Sequence, residues 1–170
     1  QKELINQLKL ERISAPIVVT HESGINDDLN GVERKVSFDL SAFPGEMEIV
    51  QSLAKWKRMA LHKYGFTNNE GLYTDMNAIR RDDHVDNIHS IFVDQWDWEK
   101  IIDTKIRNTE YLKETVIKIV NAIATTKEKV NKESPCLKFS ICKDVFFITT
   151  QELEDLYPDL SPKEREMEIV

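Results

Sequence analysis

Cysteine, excess positive charge and long apolar runs are all scarce in this 170-residue chain. The two cysteines, Cys136 and Cys142, have no second pair to complete a disulfide framework or a zinc site, so they read as reduced thiols of a cytoplasmic protein. No apolar run approaches the ~18–20 residues of a membrane-spanning helix, and the chain opens on no signal-peptide pattern. Acidic residues outnumber basic ones, 30 to 23, giving a net charge of −7. That balance argues against a broad nucleic-acid footprint, which wants a basic face, and leaves room only for a local basic pocket. Neither nucleic acid nor membrane is an expected partner. The length suits a single domain, 1–170, or part of one. The chain begins at Gln1 inside a helix-like stretch, so its natural start is expected upstream.

What is present is a mixture of strand and helix signals without strict βαβ alternation. Residues 2–12 carry Leu4, Ile5, Leu8 and Leu10 in a crude helical stripe that Pro16 ends. Residues 17–20 are a β-branched run. Residues 21–31 are a turn-rich loop with Asp27 and Asp28 in its middle. Residues 32–40 alternate as a strand, Phe43-Pro44-Gly45 is a turn, and residues 48–51 are a short strand ahead of Ser52, a fair helix N-cap. A helix is expected over 53–64, closing on Gly65. A long amphipathic helix spans 105–132, its stripe made by Leu112, Val116, Ile119, Val120, Ile123 and Val130, and Ser134-Pro135 ends it. Residues 143–148 read as a strand. Two capping boxes follow, Thr149 with Glu152 and Ser161 with Glu164, the latter with Pro162 at the first helical position. The expected fold is α/β: a mainly antiparallel sheet flanked by helices.

Two places carry chemistry. On the 53–64 helix, Leu53, Trp56, Ala60, Leu61 and Tyr64 make one apolar arc, and Lys57 falls inside it. A lysine on a buried face either snorkels to water or serves a site. The second place is 79–99, I-R-R-D-D-H-V-D-N-I-H-S-I-F-V-D-Q-W-D-W-E, which reads as a hairpin: Arg80 on a short strand, a polar loop over 82–87, and a return strand over 88–99. Alternation puts His89, Ile91, Val93, Gln95, Asp97 and Glu99 on one face, and Ile88, Ser90, Phe92, Asp94, Trp96 and Trp98 on the other. The aromatic face is expected to be the core side. The polar end of the first face is either solvated or looks into a site.

The strings E-G-L-Y-T-D-M-N-A-I-R-R over 70–81 and H-S-I-F-V-D-Q-W-D-W-E over 89–99 resemble the second signature motif of the class II aminoacyl-tRNA synthetase fold. More closely they resemble the ammonia-dependent asparagine synthetase (aspartate–ammonia ligase) branch of it. S-L-A-K-W-K-R over 52–58 and Q-E-L-E-D-L-Y-P-D-L over 151–160 are similar to the same family, so the likeness covers nearly the whole chain. It implies synthesis of asparagine from aspartate, ammonia and ATP through a β-aspartyl-adenylate, in a homodimer whose interface uses the N-terminal helix and strand.

By that resemblance, Arg80 grips the α-phosphate, a task suited to a bidentate, always-charged guanidinium. Asp27, otherwise a solvated turn residue, holds the substrate ammonium. Lys57 lies in the active site as a cation for substrate carboxylate and phosphate charge. Gln95 suits the polar groups of a bound amino acid, and Asp97 touches substrate or braces a cation. His89 and Val93 line the nucleotide, although His89 equally suits a structural role; Val93 stands where the tRNA-charging relatives carry phenylalanine. A third motif, with a glycine-rich strand and a second ATP-binding arginine, is implied for the family but has no counterpart here: there are five glycines and no G-G-G-x-G run. The Mg²⁺ ligands are likewise expected outside this chain, whose family members run to roughly twice this length. Two other readings stay open. One is a truncated, non-catalytic aspartate-binding or dimerisation module. The other is the core of an aspartyl- or asparaginyl-tRNA synthetase, against which the acidic charge and the W-D-W-E ending weigh.

Overall fold

The computed structural model describes all residues except Ile88, Lys138 and Val170. Two compact units make up the chain, residues 1–108 and 109–170.

The first unit opens with α1 (Lys2–Leu8) and β1 (Leu10–Arg12). The helix expected over 2–12 therefore stops four residues early. Lys9 turns into the left-handed region (φ 58°), its N–H bonds the Ile5 carbonyl, and the next three residues pair in parallel with β5 (Gly71–Ile79). β2 (Val18–Thr20), β3 (Val36–Leu40) and β4 (Phe43–Ile49) form one antiparallel sheet, ordered β2-β4-β3. Phe43-Pro44-Gly45 is thus strand, not turn; the reversal falls on Ser41-Ala42, and an irregular register at Asp39/Leu40 admits the proline at the strand start. The second sheet is β1-β5-β6, with β6 (Phe92–Lys100) antiparallel to β5.

Between the sheets in sequence lies α2 (Ala54–Lys63). Its N-cap is Leu53 and not Ser52, although Ser52 Oγ accepts from the Ala54 N–H at 3.3 Å. Gly65 follows its end at φ 72°, a conformation glycine adopts without penalty. Leu53, Trp56, Ala60 and Leu61 recur at the helical period and are buried. With Val19, Val50, Leu72, Met76 and Ala78 they form the core. Tyr64, assigned to the same arc, is exposed.

The ladder fixes which face of the second sheet meets that core. Leu72, Thr74, Met76 and Ala78 stand opposite Glu99, Asp97, Gln95 and Val93, and directly opposed residues share a face. Leu72, Met76 and Ala78 belong to the core and Val93 packs against it. The expected orientation of the hairpin is therefore corrected. On the face that meets the core, Val93, Asp97 and Glu99 are half-buried and only Gln95 is exposed, while Phe92 and Trp96 are 55% and 52% exposed. The apolar residues opposite, all on β5, decide the side. The return strand also begins at Phe92 and not at 88, of which Ile88 lies outside the described residues; the connection runs over residues 80–91.

In the second unit, α3 (Thr109–Glu133) is followed by α4 (Thr150–Leu156) and α5 (Pro162–Met167). Both capping boxes form as expected: Thr149 and Ser161 accept from the backbones of Glu152 and Glu164, whose carboxylates return the contact. No strand occurs among the described residues of 143–148. An apolar D-V-F-F-I run needs a neighbouring strand to pair with, and this unit has none among its described residues. Along α3, Ala122 and Ala124 are buried, while Leu112, Ile123 and Val130 are exposed.

Candidate active site

All seven candidate residues lie in the first unit. At its centre is Lys57, on the first turns of α2 and 6% exposed. Its ammonium does not snorkel to water. Nζ donates to Asp97 Oδ1 at 2.5 Å and to the Trp98 carbonyl at 3.2 Å, with Glu99 Oε2 at 3.6 Å. The two carboxylates brace a cation, as charge in a buried place requires. Thr74, opposite Asp97 on β5, is fully buried, and its Oγ1 has no protein partner. One step along the face, Gln95 is exposed and donates only a weak contact, Nε2 to Met76 Sδ at 3.4 Å. Its amide is otherwise available to a ligand.

Arg80 follows the last residue of β5, its N–H bonded to the Ile91 carbonyl at 2.8 Å. Its guanidinium makes one long ion pair, 4.0 Å to Asp83, and its Nε is buried without a partner. A buried donor left unmatched costs free energy, so it is a natural place for an incoming anion. The loop is pinned beside it. Asp82 accepts from the Arg34 backbone and guanidinium at 2.6–3.2 Å, and the Arg34 hydrogen bonds hold its carboxyl at about 2. Arg81 bonds the Lys35 carbonyl, a structural contact.

Asp27 sits half-buried in the loop after β2. Its Oδ1 accepts from the Asp28 N–H at 3.1 Å and lies 3.8 Å from Lys55 Nζ. Its carbonyl accepts from Gln51 Nε2 at 2.9 Å. Gln51 follows Val50, whose carbonyl takes the Ile79 N–H at 3.4 Å. A chain of direct contacts thus links the Asp27 loop, the start of α2 and the end of β5 that carries Arg80.

Two sequence candidates stand apart from this. His89 is exposed and closes its own loop: its N–H and Nδ1 both meet Asp86, at 2.8–3.0 Å. That is the structural role the sequence left open. Val93 is half-buried against the core and opposite Ala78.

The sequence reading passed over Asn26, Glu48, Gln51 and Thr74, four of the five polar or charged residues buried among the described residues. Glu48 lies in a β-strand between apolar neighbours and Thr74 looks like an ordinary strand residue. The one available signal was Gln51, a polar residue closing the M-E-I-V-Q run just before a helix.

No group of three or more His, Cys, Asp or Glu side chains gathers to hold a metal among the described residues, so no step below runs through Mg²⁺. No helix among them is long and apolar enough to cross a membrane.

The architecture is that of the class II aminoacyl-tRNA synthetases. Over 99% of its length the chain superposes on 39% of an Entamoeba histolytica asparaginyl-tRNA synthetase solved with asparaginyl-adenylate, at a TM-score of 0.54 and 15% identity. Sequence narrows this further. The aspartate-ammonia ligase family model matches residues 1–170. An aspartate–ammonia ligase of Clostridium perfringens is 57% identical over 170 residues, covering 99% of this chain and 51% of that protein. Those of Ruminiclostridium cellulolyticum and Lactobacillus johnsonii are 55% and 54% identical. The chain belongs to the aspartate–ammonia ligase family. It spans about half the length of the curated relatives it matches.

Proposed function

We propose that this chain supplies the amino-acid pocket and one phosphate-binding arginine of an AMP-forming aspartate–ammonia ligase. The carrying observation is the buried Lys57 ammonium on the Asp97–Glu99 face, in the same unit as the contacts that link the Asp27 loop through Gln51 and Val50 to the end of β5 before Arg80. Such a cation, held rigidly beside unmatched polar groups, suits a site where negative charge develops.

In this reading Asp27 takes the ammonium of aspartate, and Gln95 bonds its polar groups. The β-carboxylate is then set for in-line attack on the α-phosphorus of ATP. Pyrophosphate leaves and β-aspartyl-adenylate forms. Arg80 and Lys57 offset the charge on the α-phosphate and carboxylate oxygens. Ammonia attacks the acyl carbon, loses a proton, and AMP departs with asparagine formed. Val93 offers an aliphatic surface for adenine. His89 is given no role beyond its loop. The reaction is assigned to a protein of family length, as a cytoplasmic homodimer that uses α1 and β2 for contact, with the second ATP arginine and the Mg²⁺ ligands outside residues 1–170.

Arg80→Ala in the family-length protein tests this. Aspartate-dependent exchange of pyrophosphate into ATP should slow by about 10²-fold or more, and AMP release by the unaltered protein should require ammonium and not tRNA. Unchanged exchange would remove Arg80 from the site. AMP release that needs tRNA would replace the ligase with a synthetase.

A further inference from the structure

Glu48 is 3% exposed and charged, yet no step above uses it. It lies on β4 and its carboxylate gathers both ends of the loop that carries Asp27. Oε1 accepts from His21 Nδ1 at 2.6 Å, at the loop's start. Oε2 accepts from Asn26 Nδ2 at 3.0 Å, the residue immediately before Asp27. Lys35 Nζ reaches Oε2 at 3.5 Å and Asp28 Oδ1 at 2.7 Å, so the residue immediately after Asp27 is tied in as well. Asn26 is itself almost fully buried. It donates also to the Ile49 carbonyl and accepts from the Gln51 N–H, and Gln51 then holds the Asp27 carbonyl. Burial alone would push the Glu48 carboxyl up; the bonds from His21 and Asn26 and the Lys35 charge outweigh it and hold the group below the usual carboxylate range.

The loop needs such an anchor. Leu29, two residues past Asp27, sits at φ 51°, a conformation that a side chain other than glycine's disfavours. Residues 24–35 contain no helix or strand to impose it. Left to itself the loop would sample many positions for Asp27, and an ammonium site displaced by an ångström loses much of its value.

We propose that Glu48 is the positioning residue of the amino-acid site: through His21, Asn26 and Lys35 it fixes the loop so that the Asp27 carboxylate meets the substrate ammonium. This rests on the reading of Asp27 above. It predicts an effect on aspartate that runs through Asp27 and spares the nucleotide.

The test is a double-mutant cycle in the family-length protein. Asp27→Asn measures the direct contact. Glu48→Gln keeps the shape of the anchor and removes its charge. His21→Ala removes one strut at an exposed position while leaving Glu48, Asn26 and Lys35 in place. Glu48→Gln should raise KM for aspartate by about tenfold and leave KM for ATP within about twofold. His21→Ala should act in the same direction by a smaller factor, and Glu48→Asp should restore part of the loss. Adding Glu48→Gln to Asp27→Asn should change KM for aspartate little further, because residues acting through one contact are not additive. If Asp27→Asn alone leaves KM for aspartate unchanged, the reading of Asp27 has failed. If Asp27→Asn raises it while Glu48→Gln and His21→Ala do not, or if the two effects multiply in the double variant, Glu48 does not position Asp27. Should Glu48→Gln fail to fold, His21→Ala decides by the same comparison.

Discussion

Lys57 and Asp97 form a buried ion pair whose two halves are buried unequally, and removing each should have opposite consequences. In Asp97→Ala the ammonium keeps the Trp98 carbonyl at 3.2 Å and Glu99 at 3.6 Å but loses its closest partner. Breaking a buried pair costs about 3–5 kcal/mol when nothing replaces the lost charge. With Glu99 still in reach, about 2–3 kcal/mol is expected. In Lys57→Met the buried charge itself disappears. The carboxylates left behind, Asp97 and Glu99, have side chains 21% and 29% exposed and reach water. An apolar side chain of similar volume then takes its place on the buried face of α2, and the change should fall within about 1 kcal/mol of zero. Urea unfolding of the family-length protein separates the two, with a midpoint lower by roughly 1 M for Asp97→Ala and little changed for Lys57→Met. Adenylation, read by pyrophosphate exchange, should show the reverse emphasis. Lys57→Met should lose about 10²-fold or more, although the protein is as stable as before. If Lys57→Met unfolds as readily as Asp97→Ala, the ammonium is a structural pin and its place in the chemistry is wrong.

Three further outcomes follow from the first unit. Asp82 is held at about 2 by Arg34, so its stabilisation of the 80–91 loop is fully present above the ordinary carboxylate value of 3.8 and is lost as pH falls through about 2. His21 is raised from 6.5, chiefly by its hydrogen bond to Glu48, so its contribution is present below pH 6.5 and is lost as pH rises through its higher folded value. Urea midpoints measured against pH should lose their acid-side slope below pH 4 in part in Arg34→Gln, and their alkaline-side decline in part in His21→Ala; slopes identical to the unaltered protein would refute the pairings. In Gly71→Ala the new Cβ would lie 2.6 Å from the Glu99 carbonyl and 2.8 Å from Leu10 Cδ2, at the point where β1, β5 and β6 join. A backbone atom cannot give way as a side chain does, so about 1–3 kcal/mol of destabilisation is expected by urea unfolding, and a neutral result would contradict this packing.

Periodic features were legible in the sequence, and features decided by a partner elsewhere in the chain were not. The α2 arc and its misplaced lysine follow from 100° spacing alone, and the capping boxes from residues three apart. The hairpin's strands were legible, but its inward face was not. Three aromatics at Phe92, Trp96 and Trp98 outweighed Val93 on any local scale, yet Leu72, Met76 and Ala78 across the ladder set the side. Helix 2–12 failed for a related reason: Leu10, Glu11 and Arg12 gain a parallel strand partner sixty-one residues on, and no local pattern encodes that. Among the candidates, Lys57 was visible because a charge in an apolar arc is unusual, and Arg80 only through the family resemblance of the strings around it. Asn26, Glu48 and Gln51 were not, because their meaning lies in hydrogen bonds to one another across more than twenty residues.

The distribution of buried polar groups carries the functional argument one step further. Among the described residues, Asn26, Glu48, Gln51, Lys57 and Thr74 are the buried polar or charged ones, and all five belong to the first unit. Each such group costs desolvation that its hydrogen bonds offset only in part, and removing one alone leaves its partners unmatched. Three of the five, Asn26, Glu48 and Gln51, form the network beneath Asp27, and the other two stand on the Asp97 layer of the sheet face. Gln51 Oε1, Thr74 Oγ1 and, just past the end of β5, Arg80 Nε are buried without a protein partner. An acceptor, a hydroxyl and a cationic donor are thus left without protein partners in the first unit, each at a cost in free energy.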